Sequence, residues 1–297
     1  MKAGRVSLIG RPNAGKSTLL NRFIGQKLAI VSDKPQTTRH RITGVVNVSG
    51  GQIVFVDTPG IHKPVHRMNR RMVDAAFETL RDVDVVVLVV DATARPGAGD
   101  EFVVNLLARV TAPALLALNK VDLVHKPKLL PMIDHYAKSH AFKAIVPISA
   151  RSGDGVGALE QEILTALPEG DPLYDEDYLT DQTERHLAAE LVREQVLAET
   201  HDELPYATAV VIDQFEEATP DHPITRIFAS ILVDQESHKA IVIGKHGEKI
   251  KRIGTAARLE LERLLDGRVF LDLHVKVRAD WRDDERLLDE LGLGRKH

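Results

Sequence analysis

The chain has 297 residues, a length that fits two ordinary domains better than one. Its residues are 43% hydrophobic and 28% charged, and the net charge of −4 excludes a bulk polycation, so any nucleic-acid surface has to be a local patch. There is no cysteine, which excludes disulfides, thiol catalysis and cysteine-ligated metals and suits a reducing compartment.

The N-terminal stretch MKAGRVSLIG enters a strand pattern directly, without the apolar run of a signal peptide. The first half then alternates short apolar runs with amphipathic segments. Strands are expected at 5–10, 53–57, 83–91, 114–119 and 144–149, with a hairpin strand near 44–51. The most apolar of these, Val83–Val90, contains Asp84 and is far too short to span a bilayer. Helices are expected at 15–23, 69–80, 99–109 and 156–167, the last with Leu159, Ile163, Leu164 and Leu167 on one face before Pro168. Continuous apolar strands alternating with helices predict an α/β domain whose mostly parallel sheet is covered on both faces.

The acidic stretch PEGDPLYDEDYLTDQ at 168–182 lacks helical apolar spacing. The boundaries expected from it are a first domain at 1–170, a linker at 171–182 and a second domain at 183–297. The second domain starts with an amphipathic helix at 183–200, whose face carries Leu187, Leu191 and Gln195 or Val196. Strands at 206–217 and 224–234, helices at 237–243 and 248–266 and a strand at 268–278 follow. The last strand alternates Val269, Leu271, Leu273, Val275 and Val277 with polar residues, as a half-exposed strand does. This α-β-β-α-α-β order predicts three strands backed by three helices.

Four motifs in the first half carry chemistry. GRPNAGKST at 10–18 follows a strand and opens a helix, the P-loop arrangement. Gly10 and Gly15 let the loop curl so that its N–H groups, from Arg11, Pro12, Asn13 and Ala14 onward to Thr18, surround phosphates (Pro12 contributes shape only). The helix start adds positive dipole, Lys16 neutralises the β- and γ-phosphates, and Ser17 offers a hydroxyl to Mg²⁺. DTPG at 57–60 ends a strand, so that Asp57 reaches Mg²⁺ and the Gly60 N–H meets the γ-phosphate. NKVD at 119–122 ends another: Asp122 accepts from guanine N1 and N2, Asn119 reads the base edge and the Lys120 stem covers the ring. Ser149–Ala150 offers backbone donors to guanine O6. Together these select GTP over ATP.

Between the P-loop helix and the next strand, SDKPQTTRHR supplies Thr37 and Thr38 as switch residues, with Thr38 the favoured Mg²⁺ ligand. After DTPG comes Ile61, where a signalling GTPase would place a water-orienting glutamine, so slow basal hydrolysis is expected. Two readings of Asn13 stand side by side: it shapes the loop, or it helps hold a monovalent cation such as K⁺ against the phosphates. His62 and His66 are spaced like a helical metal pair, but without a third ligand they read as solvated.

In the second half, IGKHGEKIKRIG carries Gly244, Lys245, His246 and Gly247 between two helices. A GxxG loop admits a nucleic-acid backbone closely, and the next helix presents its N-terminus there. Lys249, Lys251, Arg252 and Arg258 add a basic stripe. This arrangement matches an α+β KH RNA-binding module of type II.

GRPNAGKST, QTTRHR, DTPG and NKVD followed by IGKHGEKIK resemble the Era family of bacterial GTPases with a C-terminal KH domain, and the resemblance runs over nearly the whole chain. It implies a GTP-hydrolysing ribosome-assembly factor that binds the 3′ end of small-subunit ribosomal RNA and cycles between GTP and GDP. It further implies a cytoplasmic monomer, with peripheral membrane association in some members. The alternative is a GTPase whose second domain docks on protein or membrane. A tandem-GTPase relative is excluded by the single P-loop, and a tRNA-modifying relative is disfavoured by the missing C-terminal cysteine.

Overall fold

The computed structural model describes residues 1–32, 34, 39, 41–57, 80–201, 204–289 and 291. Thr37, Thr38, Gly60, Ile61, His62, His66 and nearly all of the helix expected at 69–80 lie outside these. The chain forms two compact units that meet in sequence between Asp181 and Gln182, with residues 30–34 belonging to the second.

The first unit is built on a six-stranded sheet in the order β2-β3-β1-β4-β5-β6. Its strands are β1 (Lys2–Ile9), β2 (Ile42–Val48), β3 (Gly51–Asp57), β4 (Val85–Asp91), β5 (Ala114–Asn119) and β6 (Ala144–Pro147). All neighbours pair in parallel except β2 with β3, the expected hairpin. The run VVVLVV of β4 is buried along its length, as a central parallel strand must be. Helices α1 (Lys16–Ile24), α2 (Ala98–Leu107), α3 (Leu129–Ser139) and α4 (Val156–Ala166) provide the cover. Leu159, Ile163, Leu164 and Leu167 are buried, as their spacing predicts. The α3 helix was not among those expected. It packs Leu129, Met132, Ile133 and Tyr136 against the core at i, i+3, i+4 and i+7, an apolar stripe that the sequence carries and the reading passed over.

Register places the motifs along one edge of this sheet. Leu8 pairs with Asp57, Ile9 with Leu88 and Asp91 with Asn119, so β1, β3, β4 and β5 end side by side. In open α/β sheets, ligands sit beyond these carboxyl ends.

The acidic stretch expected to link the domains is bound along the outer edge of β2. Val45 N–H donates to Leu179 O at 2.8 Å, and Thr180 Oγ1–H donates to Thr43 O at 2.7 Å. Asn47 Nδ2–H donates to Glu176 O at 2.8 Å. The buried Gln52 side chain accepts from Leu173 N–H and Tyr174 N–H and donates to Tyr174 O. Residues up to Asp181 accordingly belong to the first unit.

The second unit follows the expected order: α5 (Glu184–Glu199), β7 (Thr208–Glu216), β8 (Thr225–Val233), α6 (Glu236–Ile243), α7 (Glu248–Leu264) and β9 (Val269–Val277). Thr183 caps α5, its side chain accepting from His186 N–H. The sheet order is β7-β8-β9, antiparallel then parallel. Leu191 and Val196 of α5, Val242 of α6 and Ile253, Ala257 and Leu261 of α7 share one core with the sheet. Of the two residues left open for the α5 face, Val196 is the buried one. Arg193 and Glu194 are buried as well, and a 3.6-residue apolar period does not anticipate them. Arg193 pairs with Glu190 at 2.6 Å, and Glu194 accepts from Val31 N–H.

Candidate nucleotide and RNA sites

The nucleotide site starts in the loop between β1 and α1. Asn13 sits at φ 62° and Gly15 at φ 98°, so the loop turns back on itself before α1 begins at Lys16. A Cβ on Gly15 would lie 2.2 Å from Asn119 Nδ2, so no other residue fits there. Left-handed residues on either side of Ala14 turn backbone N–H groups inward and form an anion-binding nest at the helix start. Lys16 is buried, and its Nζ donates to Gly10 O and Arg11 O at 3.2 Å each. Burial holds its pKa below the usual lysine range, opposed by the charge of Asp57. A phosphate brought into the nest would favour the charged form.

Ser17 Oγ–H donates to Asp57 Oδ2 at 3.1 Å. A hydroxyl and a carboxylate brought together beside a phosphate nest are the hard oxygen donors that Mg²⁺ takes. The expected third ligand, Thr38, is outside the described residues, as is the Gly60 N–H. Among the described residues no cluster of three or more acidic, histidine or cysteine side chains could hold a metal by itself.

The base site gathers at the ends of β5 and β6. Asn119 is buried and acts as a strut: Nδ2–H donates to Ala14 O at 2.8 Å, and Oδ1 accepts from Ala150 N–H at 2.9 Å. Its amide therefore ties the phosphate loop to the base site, with one donor and one lone pair left over for the base edge. The donation expected from Ser149 and Ala150 to guanine O6 meets a different geometry. Ser149 N–H goes to Asp154 O, and Ala150 N–H goes to Asn119 Oδ1, so both expected donors already have an acceptor within the protein. Lys120 is left-handed, at φ 68°, and its Nζ lies 2.5 Å from Asp91 Oδ2. Asp122, in the single turn that follows, is exposed. Asp91 escaped the sequence reading, although it ends the longest apolar strand; so did Arg22, which donates to Ala150 O and Arg151 O behind the base loop.

In the second unit, Gly244, His246 and Gly247 lie at φ 73°, 52° and 76°. A Cβ on Gly244 would come within 2.7 Å of Lys249 Cβ. Three positive-φ residues of four, just before the 17-residue helix α7, make an exposed loop at a helix N-terminus, with Lys245 and His246 at its tip. Beside it runs an open groove of about 320 Å³ lined by Ile250, Lys251, Gly254, Thr255 and Arg258 of α7 and by Leu271 and Leu273 of β9. These two leucines read as core from the alternation of β9, yet both are only partly buried. The groove has an apolar floor and a cationic rim. The expected basic stripe is thinner than its sequence suggests: Arg252 is paired with Glu199 at 2.8 Å and Arg258 with Glu262 at 2.9 Å, which leaves Lys245 and Lys251 as its cations outside an ion pair among the described residues, while Lys249 acts on Glu199 from a greater distance.

Fold and site together define a P-loop GTPase joined to a KH domain. Residues 5–120 match the family described as 50S ribosome-binding GTPase, and residues 203–282 match the KH domain. The chain is 51% identical to GTPase Era of Geobacter metallireducens over 98% of its length and 97% of that protein's, and 48% identical to GTPase Era of Ruminiclostridium cellulolyticum over the same shares. Two crystal structures superpose on nearly all of it, each at 40% identity. A point variant of Aquifex aeolicus Era bound to GDP·AlF₄⁻ gives a TM-score of 0.94, with 99% of this chain and 100% of that one covered. Era in complex with MgGDPNP and nucleotides 1506–1542 of 16S ribosomal RNA gives 0.95, with 99% of each covered. The chain belongs to the Era family of GTPases. It hydrolyses GTP to GDP and phosphate with Mg²⁺.

Proposed function

We propose that this GTPase binds the 3′ end of small-subunit ribosomal RNA through residues 183–297, and that its GTP cycle, run by residues 1–170, times docking on and release from the assembling small subunit. The observation that carries this is the exposed GKHG loop, with its positive φ angles, beside a groove with an apolar floor and with Lys251 and Arg258 on its rim. The glycines admit the sugar-phosphate backbone, Lys245 and the α7 N-terminus neutralise it, and about four bases lie along the groove. Support comes from the relative crystallised with nucleotides 1506–1542 of 16S ribosomal RNA. A cytoplasmic monomer fits this role, and no described helix is long and apolar enough to cross a membrane. Anisotropy with a labelled 3′-terminal fragment of small-subunit RNA tests the reading. Saturable binding that survives moderate salt and outcompetes an unrelated RNA of equal length is expected; equal binding of both would defeat it.

At the nucleotide site, Lys16 and the loop N–H groups hold the β- and γ-phosphates while a water attacks the γ-phosphorus and GDP leaves. Bound Mg²⁺, held by Ser17 and Asp57 with Thr38, supplies charge neutralisation of the phosphate oxygens. Ile61 follows DTPG where a water-orienting glutamine would stand, so basal turnover should be at or below about 10⁻² s⁻¹. The positive φ of Asn13 suits loop shaping, and its exposed side chain leaves the cation reading open to test. If Asn13 helps bind K⁺, hydrolysis runs faster in K⁺ than in Na⁺ and Asn13→Ala removes the difference. Equal wild-type rates in the two salts leave loop shaping as its role.

A further inference from the structure

We propose that Asp91 is a positioning residue for nucleotide binding: it fixes the Lys120 side chain across the end of the sheet, ready to cover the guanine ring. The inference rests on the reading of Lys120 as the residue over the base and adds the group that places it.

Strand pairing fixes the backbone of both residues. Asp91 lies opposite Asn119 in the β4–β5 register, and Ala92 N–H donates to Asn119 O at 2.8 Å just beyond it. Lys120 then takes the left-handed conformation, uncommon for a side chain of its size, and its stem turns back toward the end of β4. The ammonium meets Asp91 Oδ2. The carboxylate is held from the other side: Oδ1 accepts from Thr93 N–H at 2.8 Å and from Thr93 Oγ1–H at 2.6 Å. Partial burial opposes ionisation of Asp91, but the bonds from Lys120 and Thr93 outweigh it and keep its pKa below the usual carboxylate range. Asp91 is therefore charged wherever the protein is folded at neutral pH.

A partly buried pair like this loses much of its Coulomb gain to desolvation, so fold maintenance by itself does not account for the arrangement. Preorganisation does. A free lysine stem samples many rotamers and has to be ordered when the base arrives, whereas a stem already pinned at its far end loses little more on binding. The mixed ends of the pair also suit the task. The ammonium faces the carboxylate, which leaves the methylenes to present an apolar flank to the ring.

The test is a double-mutant cycle on the full chain, read by displacement of a fluorescent GDP analogue and by steady-state hydrolysis. Asp91→Asn keeps the acceptor for Thr93 but loses the charge. It should raise the Kd for GDP and the KM for GTP together by about three- to tenfold, the factor that ordering one long side chain is worth. The kcat at saturating GTP and the thermal midpoint should stay at wild-type values. In a Lys120→Ala background, Asp91→Asn should add nothing. A full additional loss in that background, or a fall in kcat and thermal midpoint without a change in Kd, overturns the proposal. If Lys120→Ala leaves GDP affinity unchanged, the reading of Lys120 itself is wrong, an outcome distinct from Lys120→Ala weakening GDP while Asp91→Asn does nothing.

Discussion

Asp122→Asn should weaken GTP binding on the order of a hundredfold or more and admit xanthosine triphosphate in its place. The carboxylate accepts from both guanine donors, N1–H and the N2 amino group. Each charge-assisted bond is worth about 1.5–3 kcal/mol, and an asparagine turned toward the base supplies one neutral acceptor and one donor. Xanthine carries an oxygen where guanine carries N2, so that donor then finds a partner. Asp122 is exposed and sits in a single turn of 3-10 helix, so the exchange leaves the fold alone. Competition between the two triphosphates for a fluorescent nucleotide measures the effect. Wild-type GTP affinity in this variant would remove Asp122 from the base site.

The second large effect is expected in the other unit. Lys245→Asp with His246→Asp places two negative charges where an RNA backbone has to pass. His246 is left-handed, a conformation that aspartate tolerates well, and Lys245 is exposed, so the loop should keep its shape with both glycines untouched. The GxxG loop clamps about four nucleotides, so repulsion there reaches every bound RNA whatever its sequence. The double variant should lose affinity for small-subunit RNA, with a shallower salt dependence for whatever binding remains, because phosphate contacts carry the salt slope. GTP affinity and basal hydrolysis should match the wild type, since the phosphate loop belongs to the first unit. Unchanged RNA affinity and salt slope would reduce the loop to a helix–helix turn.

Much of this was legible in the chain, and the reasons differ by element. Strands β3, β4 and β5 announced themselves because each is buried on both faces and therefore largely apolar. The phosphate loop was legible because its chemistry forces residue types at fixed spacing. What escaped depends on partners far away in sequence. Asp91 reads as a strand terminus until the register sets it beside Lys120. Leu271 and Leu273 read as core, and only the placement of α7 opens a groove above them. Arg252 reads as a free cation, although Glu199, 53 residues earlier, holds it. The binding of residues 173–181 along β2 left no signal, because its hydrogen bonds run largely through backbone atoms that no composition or period records.

That bound segment decides where the molecule can be divided. A strand at the rim of a sheet exposes a row of unpaired N–H and C=O groups, which recruits other chains and drives aggregation. Here the row on β2 is met from within the same polypeptide at Thr43 and Val45, with the Asn47 side chain holding the same stretch, whose acidic side chains also repel like copies. A GTPase fragment ended at residue 170 on the strength of its last helix would uncover this rim and leave the enzyme prone to self-association. Ended at Asp181, the fragment carries its own protection against other chains.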